Sequence, residues 1–231
     1  MTGFAEKSGP AAKIAPRRCL WHNEPGLIED YEEFMEQLIT ERRLRVCGLH
    51  ELSEHCADRP AHVVSILDPG TERSPHLDVF ADCEIHRFDF HDVIDPNLTD
   101  RPPREEDVQQ LLSIGERALP EAYQPGSKTG CLLIQCYMGV SRSTAALSIM
   151  LAARHRGPES ELFDYVRQIR PQAWPNLLMI RYADRLLGRA GRLEDALIEH
   201  YRYQAATRPD LAAAIGRLGR EEELRLAGVE A

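Results

Sequence analysis

Cys136 and Arg142 stand five residues apart, with Tyr137-Met138-Gly139-Val140-Ser141 between them and Ser143 directly after the arginine. A thiolate next to a guanidinium joins a nucleophile to a planar, two-pronged anion binder, the combination that attack on a phosphorylated substrate requires. The apolar run Leu132-Leu133-Ile134 ahead of the cysteine suits a buried strand, and Ser143 to Arg154 suits a helix. A loop from Tyr137 to Arg142 between such elements aims its backbone N–H groups, with the helix dipole behind them, at one point where an anion belongs. The same field favours thiolate over thiol at Cys136. The bare spacing is a weak signal, and it gains weight from its company. Gly139 sits where the backbone must approach a ligand closely, Ser143 follows the arginine, and none of the other five cysteines has an arginine six residues on.

These residues resemble the signature loop of the cysteine-dependent protein tyrosine and dual-specificity phosphatases, in particular a compact bacterial tyrosine-phosphatase-like group. The resemblance spans residues 44–188 and is strongest at the loop. Elsewhere it rests on Ala61-His62-Val63-Val64-Ser65-Ile66-Leu67-Asp68-Pro69, on Phe90-His91-Asp92-Val93 and on Arg170-Pro171-Gln172-Ala173-Trp174-Pro175-Asn176. It implies that Cys136 attacks phosphorus to form a phosphocysteine, that Arg142 binds the phosphoryl oxygens, and that an aspartate from another loop protonates the leaving oxygen. It also implies that the Ser143 hydroxyl bonds the sulfur and helps it leave, although the same serine reads as an ordinary helix N-terminal residue. The chain departs from the family at Gln135, where the family usually has histidine. A glutamine amide can donate to and accept from loop backbone groups, but it carries no positive charge.

Neither Cys136 nor Arg142 can protonate a leaving alkoxide or phenoxide, so the general acid comes from another segment. Glu84 to Phe90 reads as a strand with Phe88 and Phe90 on one face, and Pro96, Pro102 and Pro103 mark a loop after it. Asp92 lies immediately past that strand, where functional groups of open α/β sheets collect, and it matches the position the resemblance assigns to the acid. It ranks ahead of Asp95, which precedes a proline and suits a turn, and of Asp89, which falls inside the strand. Asn176 reads first as the N-cap of a helix from Leu177 to Leu187, while the resemblance sets its loop near the pocket.

A chain of 231 residues with 43% hydrophobic content can bury one substantial core. Six cysteines without a C-x-x-C pair or regular spacing suggest reduced thiols in a cytoplasm, with Cys19, Cys47, Cys56, Cys83 and Cys131 buried or incidental. Nine histidines show no metal-ligand spacing, and the chemistry implied by the resemblance needs neither metal nor cofactor. A net charge of −9 disfavours nucleic acid as a partner, and no apolar stretch approaches the length of a membrane span. Tyr137 and Met138 are bulky and neutral, which points to a phosphoprotein, with phosphotyrosine first and phosphoserine or phosphothreonine next, rather than to a polyanionic inositide. Two rivals share these residues: a phosphatase-like module that binds phosphoproteins without turnover, and a sulfurtransferase.

The elements alternate in the α/β manner, implying a central, mostly parallel sheet flanked by helices. Residues 1–22 read as a disordered tail, 23–188 as the phosphatase-like domain and 189–231 as a helical extension whose default role is packing. A helix from Asn23-Glu24-Pro25 to Arg43 carries the apolar stripe Leu27, Ile28, Tyr31, Phe34, Met35, Leu38 and Ile39. Strands are expected over 44–49, 62–67 and 84–90. Helices are expected over 105–119, 143–154, 158–169 and 177–187, then 193–205 and 211–226 in the extension, the last weakened by Gly216 and Gly219. The oligomeric state is left open.

Overall fold

In the computed structural model the described residues are 27–40, 43–55, 57, 60–72, 74–80, 82–119, 132–155 and 157–229. The expected tail, the start of the first helix, Pro125-Gly126 and Cys19, Cys56 and Cys131 lie outside them. So do the side chains of Leu27, Ile28, Tyr31 and Phe34.

Four parallel strands form the sheet: β1 (Leu44–Gly48), β2 (His62–Leu67), β3 (Glu84–Asp89) and β4 (Leu132–Cys136), in the order β1-β4-β2-β3. Strand β4, which ends at Cys136, is central and buried along its whole length, as a strand covered on both faces should be. Its register sets Gly48 and Ile66 beside Cys136, so that cysteine emerges where three strands end together. That is the carboxyl edge of a parallel sheet, the usual place for a site in such folds.

The first helix, α1 (Leu27–Thr40), precedes β1, and α2 (Glu105–Ala118) precedes β4. Met35 and Leu38 of α1, and Val108, Leu111 and Ile114 of α2, are buried. The three helices α3 (Arg142–Ala152), α4 (Glu159–Ile169) and α5 (Leu177–Leu186) then follow with the expected bounds to within two residues. Helix α3 is buried on every side, consistent with its small residues Ala145, Ala146 and Ser148. Deeply buried Leu, Ile and Phe side chains each contribute roughly 1.5–3 kcal/mol, so this central helix is the most firmly held element at the site.

Beyond Gly188, α6 (Arg192–Thr207) packs on α4 and α5, and Leu193, Leu197 and Tyr201 are buried in the same core as β4 and α3. The expected final helix over 211–226 is instead two: α7 (Pro209–Gly216) and α8 (Glu221–Leu226). Gly219, at φ +74°, occupies the left-handed conformation that ends the first piece. The break redirects the chain, and its last residue, Arg220, turns into the core with only 2% of its surface exposed.

Candidate active site

The loop from Cys136 to Ser143 is fixed from outside by its carbonyl groups. Tyr137 O accepts from Leu49 N at 3.0 Å, Gly139 O from Arg170 Nε at 2.9 Å, and Val140 O from Trp174 N at 2.8 Å. Ser141 O accepts from Ala145 N at 2.9 Å, and Met138 O faces Arg170 Nη2 at 3.3 Å. In a trans peptide the following N–H points opposite to the carbonyl, so outward carbonyls turn the loop amides inward. Gly139 N confirms the direction by donating to Cys136 Sγ at 3.2 Å.

Gly139 is indispensable for a reason other than ligand approach. Its φ is +67°, and a Cβ there would lie 2.5 Å from both Cys47 C and Gly48 N. The backbone it must clear is β1, not a bound molecule. Arg170 acts as the clamp: besides its bond to the Gly139 carbonyl it pairs with Glu51 at 2.8 and 3.1 Å, and Glu51 also accepts from Gly48 N at 2.6 Å. Although burial opposes the charged form, these partners hold the Glu51 carboxyl below its usual range.

Cys136 is 2% exposed, and Ser143 Oγ lies 3.1 Å from its sulfur. Ser143 is therefore more than a helix-terminal serine. Cys47, one strand over, makes a useful contrast: burial, assisted by the Glu51 carboxylate, pushes its thiol up to about 12. Gln135 is wholly buried, and its amide does not serve the loop backbone. It points along the sheet and donates to Ser65 Oγ on β2, while its carbonyl oxygen is buried without a partner.

Arg142 is 3% exposed. Its Nη1 donates to Asp68 Oδ1 at 2.8 Å and to Phe90 O at 2.7 Å, tying the ends of β2 and β3 to the loop. Its Nε is buried without a hydrogen-bond partner and lies 3.9 Å from Asp92 Oδ2. Asp68 carries no role in the sequence reading, where it is one residue of the run before Pro69 and nothing marks its reach toward Arg142.

Of the three candidate acids, Asp92 alone enters this site. Asp89 ends β3 and pairs with Arg87 at 2.9 Å, while Asp95 caps its own turn by accepting from Asn97 N at 2.9 Å. Asp92 Oδ1 accepts from Ser141 Oγ at 2.7 Å and Asn176 Nδ2 at 2.9 Å, with Arg220 Nη1 3.5 Å away. Burial opposes its charge, but Arg220, Arg142 and these two donors outweigh it and hold the carboxyl below the usual range. Asn176 fills both expected roles, since its Oδ1 caps α5 through Met179 N at 3.1 Å. The acid's loop is pinned in turn by the two-pronged Arg101–Asp107 pair, at 2.7 and 2.8 Å, and by His91 N bonding Arg101 O.

Nothing in the sequence marks Arg220. It donates to Ser141 Oγ at 2.6 Å and to Glu223 Oε1 at 2.6 Å. Glu223, with no exposed surface, also accepts from Trp174 Nε1 at 2.8 Å, Leu177 N at 3.1 Å and Tyr201 OH at 3.0 Å. A lone arginine in a charged segment carries no signature of this kind.

No helix among the described residues is long and apolar enough to cross a membrane. No protein-family model matches the chain, and no curated protein matches it. Among solved structures it is similar to the Yvh1 phosphatase domain from Chaetomium thermophilum, with 20% identity over 65% of this chain and 94% of that one and a TM-score of 0.47. Human DUSP28 aligns at 18% identity over 64% of this chain and 95% of its own, with a TM-score of 0.45. The Tk-PTP structure in its active form aligns at 22% identity over 63% and 89%, with a TM-score of 0.43.

Proposed function

We propose that this chain is a cysteine-dependent phosphatase that hydrolyses phosphomonoesters of proteins, phosphotyrosine first, through a phosphocysteine. The observation that carries the reading is the loop whose Tyr137, Met138, Gly139 and Val140 carbonyls bond to the scaffold, with Gly139 N donating to the Cys136 sulfur and the Nε of Arg142 buried without a partner. Donors fixed in this way suit the three equatorial oxygens of a phosphoryl group in transfer.

The roles follow from position. Cys136 Sγ attacks phosphorus in line with the leaving oxygen, and the S–P bond forms as the P–O bond breaks. Asp92, delivered with a proton, gives it to the departing oxygen; a phosphoryl dianion beside the carboxylate raises its proton affinity, offsetting Arg220 and Arg142. Ser143 Oγ bonds the sulfur and stabilises it as thiolate when water cleaves the phosphocysteine, with Asp92 taking the proton of that water. Arg142 exchanges its resting contact with Asp68 for the phosphoryl oxygens. Tyr137 and Met138, each 56% exposed, rim the loop with neutral apolar surface, which favours a protein side chain over a polyanionic headgroup.

Hydrolysis of an aryl phosphate that is inhibited by vanadate and abolished in Cys136→Ser is the expected outcome. A parallel set of phosphotyrosine, phosphoserine and phosphoinositide substrates orders the preferences. Phosphopeptide binding without turnover by the wild type would make the chain a binding module instead, and cyanide-dependent release of thiocyanate would make it a sulfurtransferase.

A further inference from the structure

A buried ion pair next to a general acid invites a question about its purpose. Arg220 and Glu223 are 2% and 0% exposed, and removing such a pair from water costs about as much as the attraction returns, so an apolar pair would hold α8 as well. What an apolar pair could not do is contact Asp92 and Ser141. Resting on the phosphatase reading, we propose that Arg220 is a positioning residue that locks Asp92 onto Ser141 of the nucleophile loop, making the segment beyond Gly188 a working part of the site.

The geometry is continuous. Glu223 anchors Arg220 and also holds Trp174 and Leu177 N, Trp174 N holds Val140 O, and Asn176 of the same loop holds Asp92. Trp174 stacks on Tyr201 of α6 at 4.7 Å between ring centres, so the extension grips both sides of the acid. The charged and titratable groups around Asp92 are Arg142 from α3, Arg220 ahead of α8, Glu223 behind Arg220, and Tyr201 from α6. Removing Arg220 therefore frees the carboxylate and raises its proton affinity together.

The test is a double-mutant cycle on the full chain. Arg220→Met combined with Glu223→Leu removes both charges, so neither is left buried alone; Arg220→Lys, which keeps the charge but loses the fork, serves if that pair fails to fold. In the wild-type background kcat should fall about tenfold or more with KM little changed, and for the double variant the basic limb of the kcat profile should move to higher pH. In an Asp92→Asn background the same changes should have almost no further effect. An equal loss in both backgrounds would show a merely structural role and overturn the proposal. Absence of turnover in the wild type would overturn the phosphatase reading itself, and this proposal with it.

A separate observation lies at the opposite end of the sheet. His62 Nδ1 and His86 Nε2 are buried without hydrogen-bond partners, the first 3.4 Å from Glu84 Oε2 and the second 3.4 Å from Glu84 Oε1. The three ligand atoms lie within 4.8 Å of one another, and the two rings stack at 5.8 Å. A separation of 3.4 Å is long for a hydrogen bond, but ligands 2.0–2.1 Å from a tetrahedral ion sit about 3.4 Å apart. Arg117 Nη2, 3.8 Å from Glu84, is the competing cation. The sequence spacing concealed the group because β2 and β3 supply it jointly, with His62 opposite Glu84 in register.

We infer that His62, Glu84 and His86 form a site for a zinc-class divalent ion, with solvent as the fourth ligand, that pins β2 to β3. Titration of Zn²⁺ into the Cys136→Ser chain should show one ion bound and a raised Tm. Co²⁺ should give a d–d spectrum without a thiolate charge-transfer band. His62→Ala and His86→Ala should each abolish both signals; binding unchanged in these variants, or a thiolate band, would overturn the site.

Discussion

The two halves of the site are held in opposite ways. On the nucleophile side, eight consecutive residues from Cys136 to Ser143 take their shape from bonds to the loop's own backbone carbonyls, donated by Leu49 N, Trp174 N and the ion-paired Arg170 side chain, and from a glycine pressed against β1. On the acid side, Asp92 is held by side chains from three places, Ser141, Asn176 and Arg220, the last of them charged. A loop held at its carbonyls and packed against a strand has one available shape, whereas a single carboxylate held only by side chains responds to pH and to each substitution around it. The nucleophile side should therefore behave as a rigid anion cradle and the acid side as a tunable element.

The comparison can be broken most severely at Gly139. Gly139→Ala should abolish turnover and weaken vanadate binding, because the new Cβ collides with backbone at 2.5 Å in a left-handed conformation; retention of tight vanadate binding would show that the cradle is not rigid. Next in size is Asp92→Asn, expected to lower kcat by about 10²-fold or more, the scale of general-acid assistance. The loss should be larger for alkyl or phenyl phosphates than for a nitrophenyl ester, whose leaving group needs little protonation. Since the acid works protonated, kcat should decline in the wild type as pH rises through the Asp92 value in the complex, and that limb should vanish in the variant. If Asp95→Ala reproduces these effects, the assignment moves to Asp95.

A smaller effect is expected for Ser143→Ala. Loss of one hydrogen bond to a thiolate corresponds to about tenfold in rate, and it should fall on phosphocysteine hydrolysis, visible as a burst of product followed by a slow steady state. The last concerns stability, not rate, on the acid side. Burial holds the His200 imidazole down at about 4, against the bond it makes to Ala173 O. A depressed value means that full stability is present above the unfolded histidine range, near pH 6.5, and is lost as pH falls from there to about 4. The loss amounts to about 3 kcal/mol at most. His200→Gln should flatten Tm between pH 6.5 and 4; an unchanged slope would locate acid sensitivity elsewhere.

Much of the nucleophile side was legible because it is local. A strand, a turn and a helix in succession fix where Cys136, Arg142 and Ser143 lie, and hydrophobic periodicity places β1 to β4 and α2 to α5 within two residues. Asp92 was legible through its position just past β3. Gln135 was misread because an amide inside a strand looks the same in sequence whether it serves the loop or, as here, Ser65 across the sheet. The single helix expected over 211–226 failed at Gly219, whose left-handed backbone ends α7 and releases Arg220.

The sequence alone determined the strands and helices, their α/β alternation, and the candidate loop and aspartates, because each is read from residues close together in the chain. Tertiary structure alone decided which aspartate meets the loop, that Arg142 rests on Asp68, and that Arg220 and Glu223 reach Asp92 and Trp174 across 128 and 49 positions respectively. Charge–charge and hydrogen-bond contacts of that kind leave no periodicity behind. They exist only once the apolar core has fixed the distances.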